Sequence, residues 1–514
     1  MKCPRCSDDK HIIKFGFNDN FRYQRYRCQS CKKKFSKNTQ GKGRMKTQFR
    51  NTIVKSKAYV ITSAQNATPV HLGFFNSLQA YCKRNKAELI VIPFRYRNPT
   101  SLWSKEQEHD EWWASEIVPY LYAKRKKLNE NIEILGDIKV QPTAISPLTG
   151  LESISRGLSG IVGHPKLQLK VIPTPQNKLP KILTTTGTVT IKNFTDSKAG
   201  KQGEFHLVHG AAAVDIVGRK FHLRQINALS NGSFVDLDTE YFPDGSWKKA
   251  PPALALVMGD THVNSIDPKV DQVTFGKHGI VETLNPETLI FHDLFDGYSC
   301  NPHHAGNPFI NYIKHHANLN KVRKEVYQAI DYLKSRVGKR FGVVISSNHN
   351  DFLKRWLMSC DWRQDPTNAE FYLETAHAII QRMSMEKGGA FMPDPFAYWV
   401  NKCKDDFNIL CLENGGVLQI GNIECGLHGD YGPNGSRGTA KNLSRLGTRI
   451  VTGHGHTPFI EEGHYRAGTS THLKLEYNYH GPSSWLNSHV VIYHNSRRSI
   501  LTVIDGSWRG TTVK

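Results

Sequence analysis

Hydrophobic residues along this chain fall mostly into short runs set apart by Gly, Pro, Asn and charged side chains. Tyr59-Val-Ile-Thr62 has the β-branched character of a strand. Gly73 to Lys83 carries apolar residues at helical spacing, and Glu88 to Pro93 is an apolar strand ended by proline. That order predicts a β-α-β unit. The pattern then predicts a helix over Trp112 to Lys127 and a strand near Ile132 to Val140. From Leu167 to Tyr241 the runs become shorter and β-branched: Leu167 to Ile172, Gly187 to Ile191 and Phe221 to Ile226 predict a β-rich stretch. Further strands are expected over Ala253 to Met258, Thr288 to Phe291 and Phe341 to Ile345, and a helix over Glu370 to Ser384. No internal repeat and no long low-complexity tract stands out.

A chain of 514 residues is too long for one hydrophobic core and implies several domains. No apolar run approaches the 18 or so residues of a membrane span; the longest candidate is Pro251 to Gly259. The N-terminus, Met-Lys-Cys-Pro-Arg-Cys, carries no secretory h-region, so the expected location is a reducing cytoplasm. The formal net charge is +23, and residues 1–57 alone hold 17 Lys and Arg against 3 Asp and Glu. A basic segment this concentrated suits a polyanion partner, because neutralising phosphates releases counterions. A solvated tail kept for solubility is the plain alternative.

Four of the ten cysteines lie near the start, in two C-x2-C knuckles: Cys3-Pro-Arg-Cys6 and Cys28-Gln-Ser-Cys31. Two knuckles supply the four soft ligands that tetrahedral zinc requires. Phe15, Gly16, Phe17, Tyr23 and Tyr26 lie between them, enough for a small core that needs the metal to stand. Disulfides or unrelated thiols are the competing readings. The remaining cysteines are scattered and read as buried thiols. The run from Arg25 to Phe35 resembles the zinc ribbon at the N-terminus of some bacterial transposases, which implies DNA binding. Arg25, Arg27, Lys32, Lys33 and Lys34 are then the candidate contacts. Residues 36–57, basic and polar, read as a linker.

Five motifs follow in order after residue 250: Gly259-Asp-Thr-His262, His292-Asp-Leu-Phe-Asp296, Ser347-Asn-His-Asn350, Gly426-Leu-His-Gly429 and Gly453-His-Gly-His456. Each alone is weak, since a lone loop histidine is more often structural than a ligand. Together they offer the mixed Asp, His and Asn donors that hold two divalent cations against a phosphodiester. Such donors suit Mn, Fe or Zn better than an all-oxygen cage would, with Mn favoured and Mg also considered. The set resembles the calcineurin-like metallophosphoesterase family over roughly residues 251–510. That resemblance implies a four-layer αββα sandwich of two stacked sheets flanked by helices. It also implies roles: Asp260, His262 and His456 on a first metal, Asp293 bridging, and Asn348, His428 and His454 on a second. His349 is implied as the acid that protonates the leaving group, oriented by Asp296, whose carboxylate should keep the imidazole pKa raised. His292 and Ser347 depart from the family's glycines, and the acidic residue of the third motif sits one place late, at Asp351. Gly297-Tyr298 stands where the protein-phosphatase branch has an arginine; the Asp-Leu-Phe core instead resembles the DNA-repair nuclease branch.

Residues 350–425 read as an insertion whose aromatics, Trp356, Trp362, Phe371, Tyr372 and Trp399, are of the kind that usually fills a core; base stacking is the alternative. His303 and His304 in the Asn301-Pro-His-His-Ala305 loop are candidates for substrate contact or for packing. More narrowly, Tyr59 to Pro99, the β-rich middle and the first two motifs are similar to the pre-early DNA-transfer proteins of certain tailed phages. That likeness implies a phage product acting on DNA in the host bacterial cytoplasm, including degradation of host DNA. The expected organisation is a mixed α/β (α+β) multidomain chain: a zinc ribbon at 1–40, a basic linker at 41–57, an α/β plus β-rich domain at 58–250, and a metallophosphoesterase domain at 251–514. The expected activity is a metal-dependent DNA nuclease, with two catalytic divalent metals, one structural zinc and DNA as partner; a homo-oligomer is plausible. The alternatives are a phosphomonoesterase or nucleotidase, and a DNA-binding regulator with an inactive phosphoesterase fold.

Overall fold

In the computed structural model the chain forms two compact units, 1–48 and 49–514. The structure describes residues 2–3, 5–17, 24–36, 49–98, 112–385, 391–413, 415–476 and 478–510, without the side chains of 15–17, 24, 25 and 36. The first part of the expected linker, residues 41–48, lies outside the described residues. The first unit is a three-stranded antiparallel sheet of β1 (Ile12–Phe17), β2 (Gln24–Cys28) and β3 (Lys34–Ser36). Its buried centre consists of Cys3, Cys28 and Phe35, with Tyr26 stacked on Phe35 at 6.0 Å.

The second unit is mixed α/β and is built from two walls of strands. It begins with β4 (Ala58–Gln65), α1 (Leu72–Asn85) and β5 (Glu88–Phe94). There follow β6 (Arg125–Lys127), β7 (Ile132–Leu135), β8 (Ser159–Val162), β9 (Leu169–Ile172) and β10 (Lys181–Thr185). After α2 (Lys198–His206) come β11 (Gly210–Val217) and β12 (Lys220–Asn227). A small sheet of β13 (Phe234–Asp236), β14 (Thr239–Tyr241) and β15 (Trp247–Lys249) leads into β16 (Ala255–Val257). Two expectations fail here. Trp112 to Lys127 holds only a short turn at Val118–Tyr120 and then strand β6; Pro119 sits in that turn, and a proline inside a helix removes a donor and clashes with the preceding turn. Gly187 to Ile191 makes isolated bridges through Thr188 and Thr190 rather than a strand.

Beyond β16 the helices multiply. Between β16 and β17 (Thr288–Phe291) lie α3 (Pro268–Phe275) and α4 (Ile280–Leu284). Between β17 and β18 (Phe341–Ile345) lie α5 (Pro308–His316) and α6 (Val322–Val337). Then α7 (Asn350–Ser359), α8 (Ala369–Met385) and α9 (Pro395–Cys403) precede β19 (Ile409–Leu412). The chain closes with β20 (Gln419–Ile420), β21 (Ile423–Glu424), α10 (Ala440–Ser444), β22 (Ile450–Thr452), β23 (Phe459–Glu461), β24 (His464–Arg466), β25 (Ser488–Ile492) and β26 (Arg498–Thr502).

Strand period decides the layering. Leu256, Leu289, Phe291, Val344 and Val491 face the helices, where Trp399, Phe396 and Leu333 bury against them. Their neighbours Ala255, Val257, Ile290, Val343 and Val490 face inward, onto Val451, Ile460 and Tyr465 of the other wall. Alternate residues of one strand thus serve two cores, as the two-residue period requires.

The two walls reveal an internal repeat that was not apparent from the sequence. In the first half β4 pairs parallel with β5 and antiparallel with β11, which pairs antiparallel with β12. In the second half β16 pairs parallel with β17 and antiparallel with β25, which pairs antiparallel with β26. In the other wall β6-β7-β8-β10-β9 pair in the same order and directions as β20-β21-β22-β24-β23. The order along the chain is also the same, with β18 and β19 added in the second copy. Sequence echoes sit at equivalent places: Asn131-Ile-Glu133 and Asn422-Ile-Glu424, Gly163-His164 and Gly453-His454, Gly187-Thr-Val-Thr190 and Gly468-Thr-Ser-Thr471. Thr188 Oγ1 lies 2.9 Å from Thr190 Oγ1, and Thr469 Oγ1 2.9 Å from Thr471 Oγ1.

The copies join in both walls. Leu169 of β9 pairs with Ile460 of β23. In the other wall Gln225 Oε1 accepts from Ile500 N at 2.8 Å, and Asn227 Nδ2 donates to the Arg498 carbonyl at 2.8 Å. Gln225 is buried, so Gln225→Leu keeps the volume but strands the Ile500 N–H. It should cost about 1–3 kcal/mol in urea unfolding. Because one core spans both copies, residues 49–514 should unfold in a single transition; separate transitions for the two halves would contradict the shared core.

Candidate metal centre

All the expected ligands lie in the second repeat, at the ends of its strands. Chain leaving β16 at Met258-Gly259 presents Asp260 and His262; Gly259 N donates to His489 Nδ1 at 3.0 Å and fixes the exit. Past β17 comes Asp293, past β18 Asn348, past β21 His428, and past β22 His454 and His456. His262, Asp293, His454 and His456 all have φ between 42° and 71°. Non-glycine residues rarely adopt this left-handed region and do so mostly where surrounding structure forces it, often at functional sites. Glycines make the room. A Cβ on Gly453 would lie 2.3 Å from Asp260 Oδ1, and that oxygen accepts from His454 N at 2.9 Å.

The donor atoms fall into two groups that share one carboxylate. His456 Nε2 is 3.2 Å from Asp260 Oδ2 and 3.1 Å from His262 Nε2, which is 3.4 Å from Asp293 Oδ2. On the other side His428 Nε2 is 3.3 Å from the same Asp293 Oδ2 and 3.2 Å from Asn348 Oδ1, which lies 3.0 Å from His454 Nδ1. Asp260 and Asp293 are buried, and Asp260 Oδ2 and Asp293 Oδ1 have no hydrogen-bond partner. A buried carboxylate oxygen without a donor is costly, and a bound cation is what such oxygens accept. The donors therefore fit metal ions: Asp260, Asp293 and His456 converge, as do His262, Asp293 and His349, and Asp293 Oδ2 also lies 3.3 Å from His428 Nε2 on the other side.

Electrostatics point the same way. Burial, and then the charge of Asp293, raise Asp260 to about 7. Burial resists ionisation of Asp293 too, but His428, His349 and His262 hold it well below the usual carboxylate range. Burial works against protonation of His262 and His428, yet Asp296 and Asp293 respectively lift them to about 9. The carboxylates thus call for positive charge among the side chains around them.

His349 begins α7, half-buried, with its ring 4.4 Å from that of His262. Its partner is the expected Asp296, but through a different group. His349 Nδ1 donates to the backbone carbonyl of Asp296 at 2.7 Å, while the Asp296 carboxylate lies 3.7 Å away. That carboxylate instead takes the Nδ1 proton of His262 at 3.1 Å and the Ser265 hydroxyl at 3.1 Å. This sets the His262 tautomer and aims its Nε2 at Asp293. Nor is His349 raised: burial lowers its imidazole against the pull of Asp293 and Asp296.

Further residues complete the surroundings. His292, kept neutral by burial and the neighbouring His428 at about 3, lies behind His428 with the two Nδ1 atoms 3.2 Å apart. Glu325 accepts from Tyr298 N and Ser299 N, both at 2.8 Å, and fastens the loop after Asp296. Arg466, which no motif marks, donates from Nε to the Thr457 carbonyl at 2.7 Å and fills the space beside Gly455, bracing the loop that carries His454 and His456. His303 and His304 pack edge-on against Phe352 and Tyr298. Trp356, Phe371 and Trp399 are buried in the core.

Among the described residues the first repeat lacks this cluster. Ser470 N and Thr469 Oγ1 bond the Asp260 carbonyl, as Val189 N and Thr188 Oγ1 bond that of Ser63, so Ser63 stands in the place of Asp260. Ser63 faces Ile92 across the parallel pair, at the position of Asp293. Gly163-His164-Pro-Lys166 replaces Gly453-His-Gly-His456, and His164 is spent on the Lys166 N–H and the Gln141 carbonyl. Among the described residues, convergent groups of His, Cys, Asp and Glu lie only in the second repeat and in the ribbon.

In the ribbon Cys3, Cys6, Cys28 and Cys31 converge, with Cys3 Sγ 3.5 Å from Cys31 Sγ and Cys6 Sγ 3.6 Å from Cys28 Sγ. This cluster can hold zinc. Lys32, Lys33 and Lys34 are exposed beside the second knuckle and Arg27 is half-exposed. Arg25 lies on β2, its side chain outside the described set.

Fold and site together define a mixed α/β protein of two fused repeats, with a largely buried cluster of Asp, His and half-buried Asn able to hold metal ions in one and a four-cysteine cluster ahead of both. The chain belongs to the family of Protein A1 of Escherichia phage T5: it is 31% identical to that protein over 470 residues, spanning 89% of this chain and 83% of the relative. No family model matches the chain, and no solved structure matches it. No helix among the described residues is long and apolar enough to cross a membrane.

The crowding at Gly453 makes a direct test. Gly453→Ala should displace Asp260 and lower the manganese retained after equilibrium dialysis at least tenfold, read by plasma mass spectrometry with the ribbon zinc subtracted. Gly157→Ala, where a Cβ meets nothing, should retain metal as the parent does.

Proposed function

We propose that the second repeat is a two-metal phosphodiesterase that cleaves DNA, and that the chain is a phage protein working in the cytoplasm of an infected bacterium. The observation that carries this reading is the division of the donors into two groups sharing Asp293. It supports membership in the calcineurin-like metallophosphoesterases, whose motif order the second repeat follows. Divalent cations, manganese in the first instance, would supply positive charge against the phosphodiester and acidify water when bound. Asp260, His262 and His456 would hold one, Asn348, His428 and His454 the other, and Asp293 both.

The chain's own side chains do the rest. With Nδ1–H donating to the Asp296 carbonyl, His349 keeps Nε2 for the substrate side; the fraction of the ring that is imidazolium would pass its Nε2 proton to the departing oxygen and be left neutral. Asp296 acts through His262 rather than through His349. No arginine follows Asp296 to grip a phosphomonoester, which favours the diester. The ribbon, with exposed Lys32, Lys33 and Lys34, would add salt-sensitive affinity for DNA without taking part in cleavage. The kinship with Protein A1 of Escherichia phage T5 supports the phage setting.

The test is incubation of the purified full chain with linear, circular and single-stranded DNA in manganese, magnesium or chelator. Asp293→Asn should fold, bind DNA and lose metal-dependent cleavage almost entirely; near-normal cleavage by this variant in manganese would end the two-metal assignment. His349→Ala should slow cleavage by about 10²–10⁴-fold while retaining metal, the usual scale of general acid catalysis. It should act far more weakly on a nitrophenyl diester, whose leaving group needs little protonation. Equal losses on both substrates would mean that His349 is structural. A preference for the nitrophenyl monoester over the diester would turn the reading toward a phosphomonoesterase.

A further inference from the structure

A cavity of about 490 Å³ lies where the two repeats meet, bounded by the loop before β9, the end of α2, the β23–β24 hairpin and the turn between β25 and β26. It is reached from the starts of β22 and β24, whereas His454 and His456 leave the other end of β22. We infer that this cavity binds a phosphate monoester of nucleotide size, held by Arg497 and Arg449.

The charge balance of the lining carries the inference. Four cationic side chains, Lys166, Arg449, Arg497 and Arg498, face one carboxylate, Glu462. Two of the cations are committed: Lys166 Nζ sits 2.9 Å from Glu462 and 2.6 Å from the Ile145 carbonyl, and Arg498 Nη1 donates to the carbonyls of Ile450 and Gly463 at 2.8 Å each. Arg449 and Arg497 have no carboxylate partner among the described residues. Arg449 has one long contact, 3.5 Å to Asn422 Oδ1. Arg497 Nε is buried with no hydrogen-bond partner, and so is Asn227 Oδ1 in the same lining. Burial and the adjacent Arg449 charge lower the Arg497 guanidinium, the result of two like charges facing one space. An anion between them relieves that repulsion and gives the two guanidinium groups a charge partner.

The size and remaining walls narrow the class. Small-molecule sites run to about 300–1,000 Å³, apolar with a few fixed polar groups. Here Val208, Ile460 and Tyr465 provide apolar surface next to the two arginines, and Phe205 stands at the rim, 82% exposed. Phosphate at the arginines with a base or sugar over this surface fills the space better than inorganic phosphate. Lys166 stands where the second repeat has the ligand His456, so the cavity borders the site whose metal ligands the first repeat has lost.

The test is isothermal titration of the full chain, dialysed against chelator so that the catalytic metals do not compete for phosphate. The probes are deoxyadenosine monophosphate, deoxyadenosine, inorganic phosphate and a 5′-phosphorylated oligonucleotide. The monophosphate should bind, deoxyadenosine should not, and inorganic phosphate should bind at least tenfold more weakly. Arg497→Gln and Arg449→Gln should each weaken the monophosphate at least tenfold with an unchanged melting curve, and Arg497→Lys should retain part of the affinity. If Arg497→Gln were to unfold, competition for the monophosphate in Arg449→Gln decides the matter alone. The inference is overturned if the monophosphate fails to bind the parent chain at millimolar concentration, if both glutamine variants bind it as the parent does, or if only the oligonucleotide binds.

Discussion

Seven donor side chains can crowd into the strand ends of the second repeat only if positive charge joins them there, and the rest of the site follows from that demand. Asp293 is the pivot, because its Oδ2 is within 3.4 Å of donors from both groups. By themselves the side chains meet the demand with protons: Asp260 is raised to about 7 by burial and Asp293, and His262 and His428 to about 9 against burial. Metal ions use the same lone pairs, so protons and metals compete for one set of atoms. The neutral His292 behind His428 and the Asp296 carboxylate behind His262 restrict those rings so that their Nε2 atoms converge.

The first repeat shows how little must change to abolish such a centre while keeping its frame. Ser63, Ile92 and Lys166 stand where Asp260, Asp293 and His456 do, and each has a settled local role. Ile92 joins the core between the walls, and Lys166 reaches a carbonyl and Glu462. The Gly-Thr-x-Thr turn survives in both copies because it serves the backbone, tying strand exit to strand exit, and not the metals. Strand pairing depends on alternate burial, which tolerates substitution within the apolar class; ligation depends on single atoms, which does not.

This difference also explains what was legible in the sequence. The four cysteines and the five motifs stand out because chemistry allows few residue types at those positions, and the structure brings each set together. Strands β4, β5, β12, β17 and β18 were legible from β-branched runs, and α8 from its periodicity. The repeat was not, because its copies share a pattern of burial and only fragments such as Asn-Ile-Glu and Gly-His. The insertion of β18, β19 and α5 to α9 in the second copy alone also sets these fragments at a different offset from the one that relates β4 to β16. Trp113, Ile117 and Leu121 gave the stretch after Trp112 a helical spacing, and all three are buried, but around a turn. Asp296 was assigned to His349 because the two are partners by motif; which of its oxygens reaches which ring depends on a chain reversal that the motif does not encode.

Why a copy without the donor cluster is joined to one that has it is answered by the walls. Left-handed backbone at four ligand-bearing residues is held against a cost of about 1–3 kcal/mol each in ordinary surroundings. Tertiary structure must supply that, and the loops concerned hang from strands of three or four residues. Alone, such short strands would leave two edges open, at β23 in one wall and β26 in the other. The first repeat closes both, through the Leu169–Ile460 pair and through Gln225 and Asn227. It also doubles the inner core: Tyr59, Ile90, Val214 and Phe221 bury in the same cluster as Val257, Ile290 and Val490. The first repeat is therefore part of what keeps the donor side chains of the second in their strained positions, although the first carries no such cluster of its own among the described residues.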